Sequence, residues 1–291
     1  MQLLFRYGFL KFQNIYLSLA DWQYGLLVLS TVLIAAGGYV INDIMDQETD
    51  KENKPNDIYV GKGITETMAY NLYFATTIIG VGIGFYLSNV IQKPSFAGAF
   101  IIIAATLYLY ATSFKQMLLI GNILVALLLS SSVLIIGLFD LLPATYEGNQ
   151  REMGILFSIL IDYAVFAFII NFIREIVKDM EDVEGDYNQG MSTLPIVLGS
   201  NKTSKVVFVL GIMATLLLLW YINGNLMDTK LYYAVLYALI FVVSPLLFFS
   251  LKIWSATSKK EYQLLSSVLK WIMFFGIISI LVITLNMKYN A

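Results

Sequence analysis

The chain has 291 residues, 58% of them hydrophobic and 13% charged, with a formal net charge of -2. A soluble domain is roughly 45–50% apolar and about a quarter charged, so a water-soluble globule is excluded, as is the basic footprint of a nucleic-acid binder. Cysteine and histidine are both absent, which excludes disulfides, thiolate nucleophiles, iron–sulfur clusters and imidazole bases or metal ligands. Any chemistry falls to carboxylates, lysine, arginine, tyrosine and amides.

In chain order, apolar runs lie near Leu3–Leu19, Tyr24–Ile41, Met68–Ile91, Phe96–Ala111, Leu118–Phe139, Ile155–Ile173, Val206–Tyr221, Leu231–Leu251 and Leu264–Leu285. Each approaches the roughly 20 apolar residues that a membrane-crossing helix needs. These nine runs predict an all-α, polytopic membrane protein, a single domain over residues 1–291. Arg6 and Lys11 interrupt the first run, and no small-residue cleavage site follows it. It therefore reads as a retained, shortened helix and not as a signal peptide. Gly80, Gly82 and Gly84 in the third run lack the strand-to-helix context of a dinucleotide loop, so helix packing through small residues is expected. Pro245 is expected to kink the eighth run.

Lysine and arginine fix an expected orientation. The loops after runs two, four, six and eight hold Lys51, Lys54, Lys62, Lys115, Arg174, Lys178, Lys202, Lys205, Lys252, Lys259 and Lys260, whereas the opposite side holds Lys93, Arg151, Lys230 and Lys288. Cytoplasmic loops carry the cationic excess, so the even loops are predicted to face the cytoplasm and the carboxyl terminus to lie outside. The loops after runs two and six, about 26 and 32 residues, are the longest on that face, and a site is expected there.

Those two loops share a motif. Asn42–Asp50 reads NDIMDQETD and Lys178–Asp186 reads KDMEDVEGD; aligned without gaps, Asp43 matches Asp179, Asp46 matches Asp182, Glu48 matches Glu184 and Asp50 matches Asp186. The offset spans an even number of runs, so both segments emerge on one side of the membrane and can meet across a bundle. On a continuing helix the three aspartates of a set fall within about 60° of arc, while Glu48 and Glu184 point away as spectators. Like charges on one stripe repel unless a cation lies between them. Oxygen-only ligands select a hard ion such as Mg²⁺, which keeps waters and binds through one or two carboxylates plus substrate phosphate oxygens. A phosphate or diphosphate substrate is thus implied. Each carboxylate at a helix centre in the membrane costs about 2.5–3.5 kcal/mol, an argument against six of them being incidental.

Arg174, Lys178 and Asp182 follow at four-residue steps and share a face. The two cations either neutralise a leaving diphosphate or form an intrahelical salt-bridge ladder. Lys115 and Lys54 are candidate phosphate contacts or, equally, positive-inside anchors. Asn42, about 40° from Asp46, is a candidate for the first ligand shell. Asn122 and Asn171 are amides near apolar runs, where interhelical hydrogen bonding accounts for them as well as catalysis does. The 19 Tyr and 19 Phe supply interfacial belts and the walls of an apolar groove.

Together these residues resemble the UbiA-type membrane prenyltransferases over almost the whole chain. Asn42, Asp46 and Asp50 match the family's first NDxxDxxxD motif, and Asp182 and Asp186 its second DxxxD. Tyr110, Lys115, Gly121 and Asn122 also look like the family's pattern. The resemblance implies nine helices around a central cavity open to the cytoplasmic side. It also implies two Mg²⁺ ions, bridged by an isoprenyl diphosphate and held by Asn42, Asp46, Asp50, Asp182 and Asp186. Lys115, Arg174 and Lys178 would assist ionisation, and Asp43, Lys54, Tyr110, Asn122, Asn171 and Asp179 would contact substrate. The run Arg174–Ile196 is most similar to members that O-prenylate a glycerol phosphate ether lipid precursor, the digeranylgeranylglyceryl phosphate synthases. That implies geranylgeranyl transfer to a lipophilic acceptor in a bacterial or archaeal cell membrane. Aromatic-acceptor members of quinone biosynthesis share the metal motifs and form the alternative. A divalent-cation transporter, the rival from another class, would place its carboxylates mid-span. The amino terminus is shorter than the family's pattern by about half a helix.

Overall fold

A computed structural model describes residues 1–53 and 58–289, the side chains of Glu52 and Asn53 excepted. Among the described residues every regular element is helical, with one isolated bridge between Val60 and Ile64. The α-helices are α1 (Gln2–Gly8), α2 (Asp21–Met45), α3 (Gln47–Asn53), α4 (Glu66–Val90), α5 (Ala97–Thr112), α6 (Ile120–Ile136) and α7 (Gln150–Glu181). They continue with α8 (Val183–Asn188), α9 (Leu194–Leu198), α10 (Ser200–Tyr221), α11 (Tyr232–Ala238), α12 (Ser244–Ile253) and α13 (Lys259–Tyr289). Two compact units divide the chain: one of residues 1–15, 165–183 and 194–291, the other of 16–164 and 184–193.

Among the described residues eight helical stretches are long and apolar enough to cross a membrane, each coinciding with one of the last eight expected runs to within one or two residues of its limits or enclosing it. The first expected run does not form a spanning helix. α1 has seven residues, about 10 Å of helix where a bilayer core requires about 30 Å. Phe9 leaves helical geometry, a 3₁₀ turn covers Leu10–Gln13, and Asn14 adopts a left-handed φ of 54°. The cause was visible in the sequence: Arg6 and Lys11 divide the apolar run, and Arg6 is buried. α1 instead rests on α13, so closely that a Cβ on Gly8 would overlap the side chain of Leu281.

In the unit containing residues 16–164, α2 and α4 pack through small residues. A Cβ on Gly80 would stand 2.7 Å from Ile34 Cγ1 and 3.1 Å from the Ser30 carbonyl, and the Ser30 hydroxyl donates to the Gly80 carbonyl at 2.7 Å. Gly84 likewise admits the Phe100 ring, whereas Gly82 faces open space. Two of the three glycines thus serve packing, as expected. At the far end of α6 a π-turn, Gly137–Leu141, carries the fully buried Asp140. Its carbonyl accepts the Ser18 N–H at 3.1 Å and its carboxylate the Leu19 N–H at 3.0 Å, satisfying donors just ahead of α2 that a lipid environment would leave orphaned.

In the other unit, a π-turn, Leu239–Val243, lies between α11 and α12, just ahead of Pro245. Proline cannot donate to the preceding turn and its ring crowds the carbonyl four residues back, so the helix widens there. Where α12 meets α13, Ser258 and Glu261 form a reciprocal cap. The Glu261 carboxylate accepts from Ser258 N at 3.2 Å and Thr257 N at 3.0 Å, and Glu261 N–H donates to Ser258 Oγ at 3.4 Å. Lys252 adds an ion pair to Glu261 at 2.8 Å. At the other end of α13, Asn286 Oδ1 accepts the Ala234 N–H at 3.0 Å, tying that helix to the start of α11.

Candidate active site

Each aspartate motif straddles a break between two helices. Asp46 caps α2 with φ -90° and ψ 6°, one residue before α3 begins. Asp182 occupies the matching place between α7 and α8. Hydrogen bonding runs through both joints, from Asp46 N to the Asn42 carbonyl and from Asp182 N to the Lys178 carbonyl, each at 2.9 Å. The repeat seen in the sequence is therefore a repeat of local structure.

At the first motif Asp46 is 5% exposed. Its Oδ2 accepts from Asn42 Nδ2 at 2.5 Å and from the ammonium of Lys115, which reaches across from the 3₁₀ turn Phe114–Gln116 after α5. A buried carboxylate is tolerated when a cation and a hydrogen bond compensate its lost hydration, and Asp46 has both. The other polar atom of Asn42, its amide oxygen, is buried without a hydrogen-bond partner. Asp43 and Asp50 are half-buried, whereas Glu48 is exposed and paired with Lys51 at 2.6 Å. The same unit holds Asp186, which is buried, and the strand of chain after it returns to the Lys115 turn, where Ser192 N–H donates to the Gln116 carbonyl at 3.0 Å. Asn122 is buried and Tyr110 half-buried. Lys54 lies outside the described residues.

The second set of groups stands on α7. Arg174 and Lys178 both donate to Glu175, at 3.2 Å and 3.0 Å, and Glu175 is buried. Glu175 is therefore an anion that both cations share on their own helix. Asp182 lies 4.0 Å from Lys259 in the first turn of α13, and in that turn Gln263 donates to Glu181 at 3.1 Å. Arg174 Nε is buried with no hydrogen-bond partner. Asn171 is buried and donates to the Ala167 carbonyl of its own helix at 2.8 Å, so this bond is intrahelical. Asp179 is half-buried, and Glu184, the second expected spectator, is exposed.

Glu175, Lys259 and the Gln116–Ser192 bond were missed from the sequence. Glu175 carried a signal, since it precedes Lys178 by three residues and adjoins Arg174. The other two partners come from distant helices and carried none. Among the described residues no three carboxylates gather into a ready metal cage. The donors that do converge suit a hard ion all the same: the buried Asn42 oxygen, unsatisfied, beside the Asp46 carboxylate. An incomplete oxygen set of this kind is what Mg²⁺ takes when phosphate oxygens supply the remainder.

The chain is similar to known proteins in sequence and in fold. Digeranylgeranylglyceryl phosphate synthase of Thermococcus gammatolerans is 35% identical over 187 residues, 64% of this chain and 61% of that protein. The chain spans less than two thirds of the length of the first such relatives. A solved structure concerning digeranylgeranylglyceryl phosphate synthase in membranes superimposes with a TM-score of 0.62 at 25% identity, over 91% of this chain and 87% of that one. A UbiA homologue from Archaeoglobus fulgidus, bound to DMAPP and Mg²⁺, does so with a TM-score of 0.57 at 17% identity, over 96% and 94%. The UbiA prenyltransferase family matches residues 14–278, which include both aspartate joints, the Lys115 turn, seven of the eight membrane-crossing stretches and the first part of the eighth. With most of its length matched and its fold shared, this multi-pass membrane chain belongs to the UbiA prenyltransferase family.

Proposed function

We propose that the protein is a Mg²⁺-dependent intramembrane prenyltransferase. It moves a geranylgeranyl group from its diphosphate to the hydroxyl of a geranylgeranylglyceryl phosphate-like acceptor. The observation that carries this reading is the first aspartate joint, where buried Asp46 holds Lys115 and Asn42 while the Asn42 oxygen stays unsatisfied. The acceptor is proposed from the similarity to digeranylgeranylglyceryl phosphate synthases, and Mg²⁺ from the oxygen donors and the homologue bound to DMAPP and Mg²⁺.

Asn42, Asp46 and Asp50 would hold one Mg²⁺ and Asp182 and Asp186 a second, and the ions would supply Lewis-acid charge to the diphosphate. Lys115, Arg174 and Lys178 neutralise charge that builds on the departing oxygens, which lowers the barrier because that charge is larger in the transition state than in the ground state. The allylic carbon–oxygen bond breaks with its electron pair leaving on the diphosphate. The acceptor oxygen then forms the new bond to that carbon, and its proton passes to a base, the released diphosphate or an aspartate carboxylate. Asp43, Asp179, Tyr110, Asn122 and Asn171 bind and orient the substrates. Ion pairs made by Lys115 and Lys259 to the central aspartates oppose a passing cation, against a transport role. The charged loops bearing the motifs face the cytoplasm.

The test is incubation of the purified protein with Mg²⁺, labelled geranylgeranyl diphosphate and a panel of geranylgeranylglyceryl phosphate, dihydroxynaphthoate and hydroxybenzoate. Label is expected on geranylgeranylglyceryl phosphate; label on an aromatic acceptor overturns the assigned acceptor. Asp46→Ala and Asp182→Ala should each lower turnover by on the order of 10²-fold or more while keeping a monodisperse, folded protein, and full turnover in either overturns the assignment.

A further inference from the structure

The turn that carries Lys115 is gripped by two segments. From α6, Gly121 is buried where an added Cβ would lie 3.1 Å from Lys115 Cα, 3.1 Å from the Phe114 carbonyl oxygen and 3.4 Å from the Lys115 carbonyl oxygen. All three are main-chain atoms, which give way less readily than the tip of a side chain, so the turn would have to shift by a few tenths of an ångström. From the segment after α8, Ser192 N–H donates to the Gln116 carbonyl at 3.0 Å, and Met117 N–H closes the turn on the Phe114 carbonyl at 3.1 Å. The connection onward to Gly121 passes through Leu119 at φ 59°, a left-handed conformation that an L side chain adopts only under constraint. The seating is thus over-determined by neighbouring backbone. Its output is one contact, the Lys115 ammonium on the buried Asp46 carboxylate.

We infer that Gly121 is a positioning residue. Its missing side chain sets the depth at which the turn sits against α6 and hence the point from which Lys115 reaches Asp46. The Gln116–Ser192 bond holds the segment following Asp186 to the same turn, so one seating serves both. Only the activity arm of the test below rests on the proposed prenyl transfer.

The geometric arm measures acetylation of individual lysines by limiting acetic anhydride on the full chain in detergent, with peptide-level mass spectrometry. Gly121→Ala is expected to raise the labelling rate of Lys115 several-fold and leave exposed Lys93 unchanged. Gly98→Ala, where an added Cβ meets nothing within 4 Å, should leave both at the wild-type rate. Wild-type labelling of Lys115 in Gly121→Ala overturns the inference. Should Gly121→Ala fail to fold, Ser192→Pro deletes the N–H given to Gln116 and loosens the turn from the segment after α8. A several-fold rise at Lys115 supports the inference and no change overturns it. In the transfer assay, Gly121→Ala should lower kcat/KM for the diphosphate about tenfold in the wild-type background and not at all in Lys115→Ala. Equal losses in both backgrounds mean that Gly121 does not act through Lys115. Absence of turnover in the wild type defeats the prenyl-transfer reading, and the labelling result still decides the role of Gly121.

Discussion

At the scale of single residues, burial and partner choice separate carboxylates that look alike in the sequence. Glu175 is enclosed and shared by Arg174 and Lys178, whereas Glu184 nine residues later is exposed. Removing Glu175 takes the shared anion from Arg174 and Lys178, and a hydrogen bond to a charged group contributes about 1.5–3 kcal/mol. Glu175→Ala should therefore lower the unfolding free energy in detergent by that amount, while Glu184→Ala should stay within about 0.5 kcal/mol of the wild type. Equal effects would show that the shared anion is not what holds the two cations. The closeness of Asn42 to Asp46 was legible before any coordinates, because it follows from helical spacing; the pairing of Lys115 with Asp46 joins segments 69 residues apart and was not. The Lys259 partner of Asp182 was not legible either, because it depends on which turn of α13 meets the end of α7, whereas Glu175 could have been read from its spacing to Lys178. Glu48 and Glu184 were legible as bystanders from angle alone, and both are exposed.

At the scale of elements, caps and breaks decide where helices stop. α13 begins at a Ser-x-x-Glu box with Lys252 behind it, a pattern the sequence displayed but that apolar runs do not reveal. Ser258→Ala removes one half of the reciprocal cap and should cost about 0.5–2 kcal/mol. Faster amide exchange confined to the first turn of α13 is the expected signature; unchanged exchange there would mean that Lys252 alone suffices. The first apolar run, counted among nine but read as shortened because Arg6 and Lys11 interrupt it, forms pieces each too short to span. The other eight runs were located correctly but underestimated in length: α7 continues eight residues beyond the expected Ile173, since a helix leaving the bilayer keeps its hydrogen bonds when its residues turn polar.

At the scale of the whole molecule, the charge asymmetry survives the loss of the first span, since the side of every later loop is set by parity among the remaining eight. Orientation can be tested directly because the chain has no cysteine. Glu147→Cys and Glu184→Cys place single thiols at exposed positions in loops of opposite expected side. A membrane-impermeant maleimide should modify the first in intact cells and the second only after permeabilisation; the reverse pattern would invert the topology.

The two hydrogen bonds that Asp140 receives from Ser18 and Leu19 link positions 121 and more residues apart, and they impose an order of assembly. The lead-in to α2 emerges from the ribosome first, yet its acceptor arrives only with the end of the fourth apolar stretch. Until that stretch has inserted, the donors ahead of α2 must remain hydrated at the lipid headgroups. Contacts so distant in sequence form late. Biosynthesis therefore passes through a stage in which three segments are embedded and the amino-terminal lead-in is still undocked, and a ribosome stalled before Asp140 would leave it in that condition.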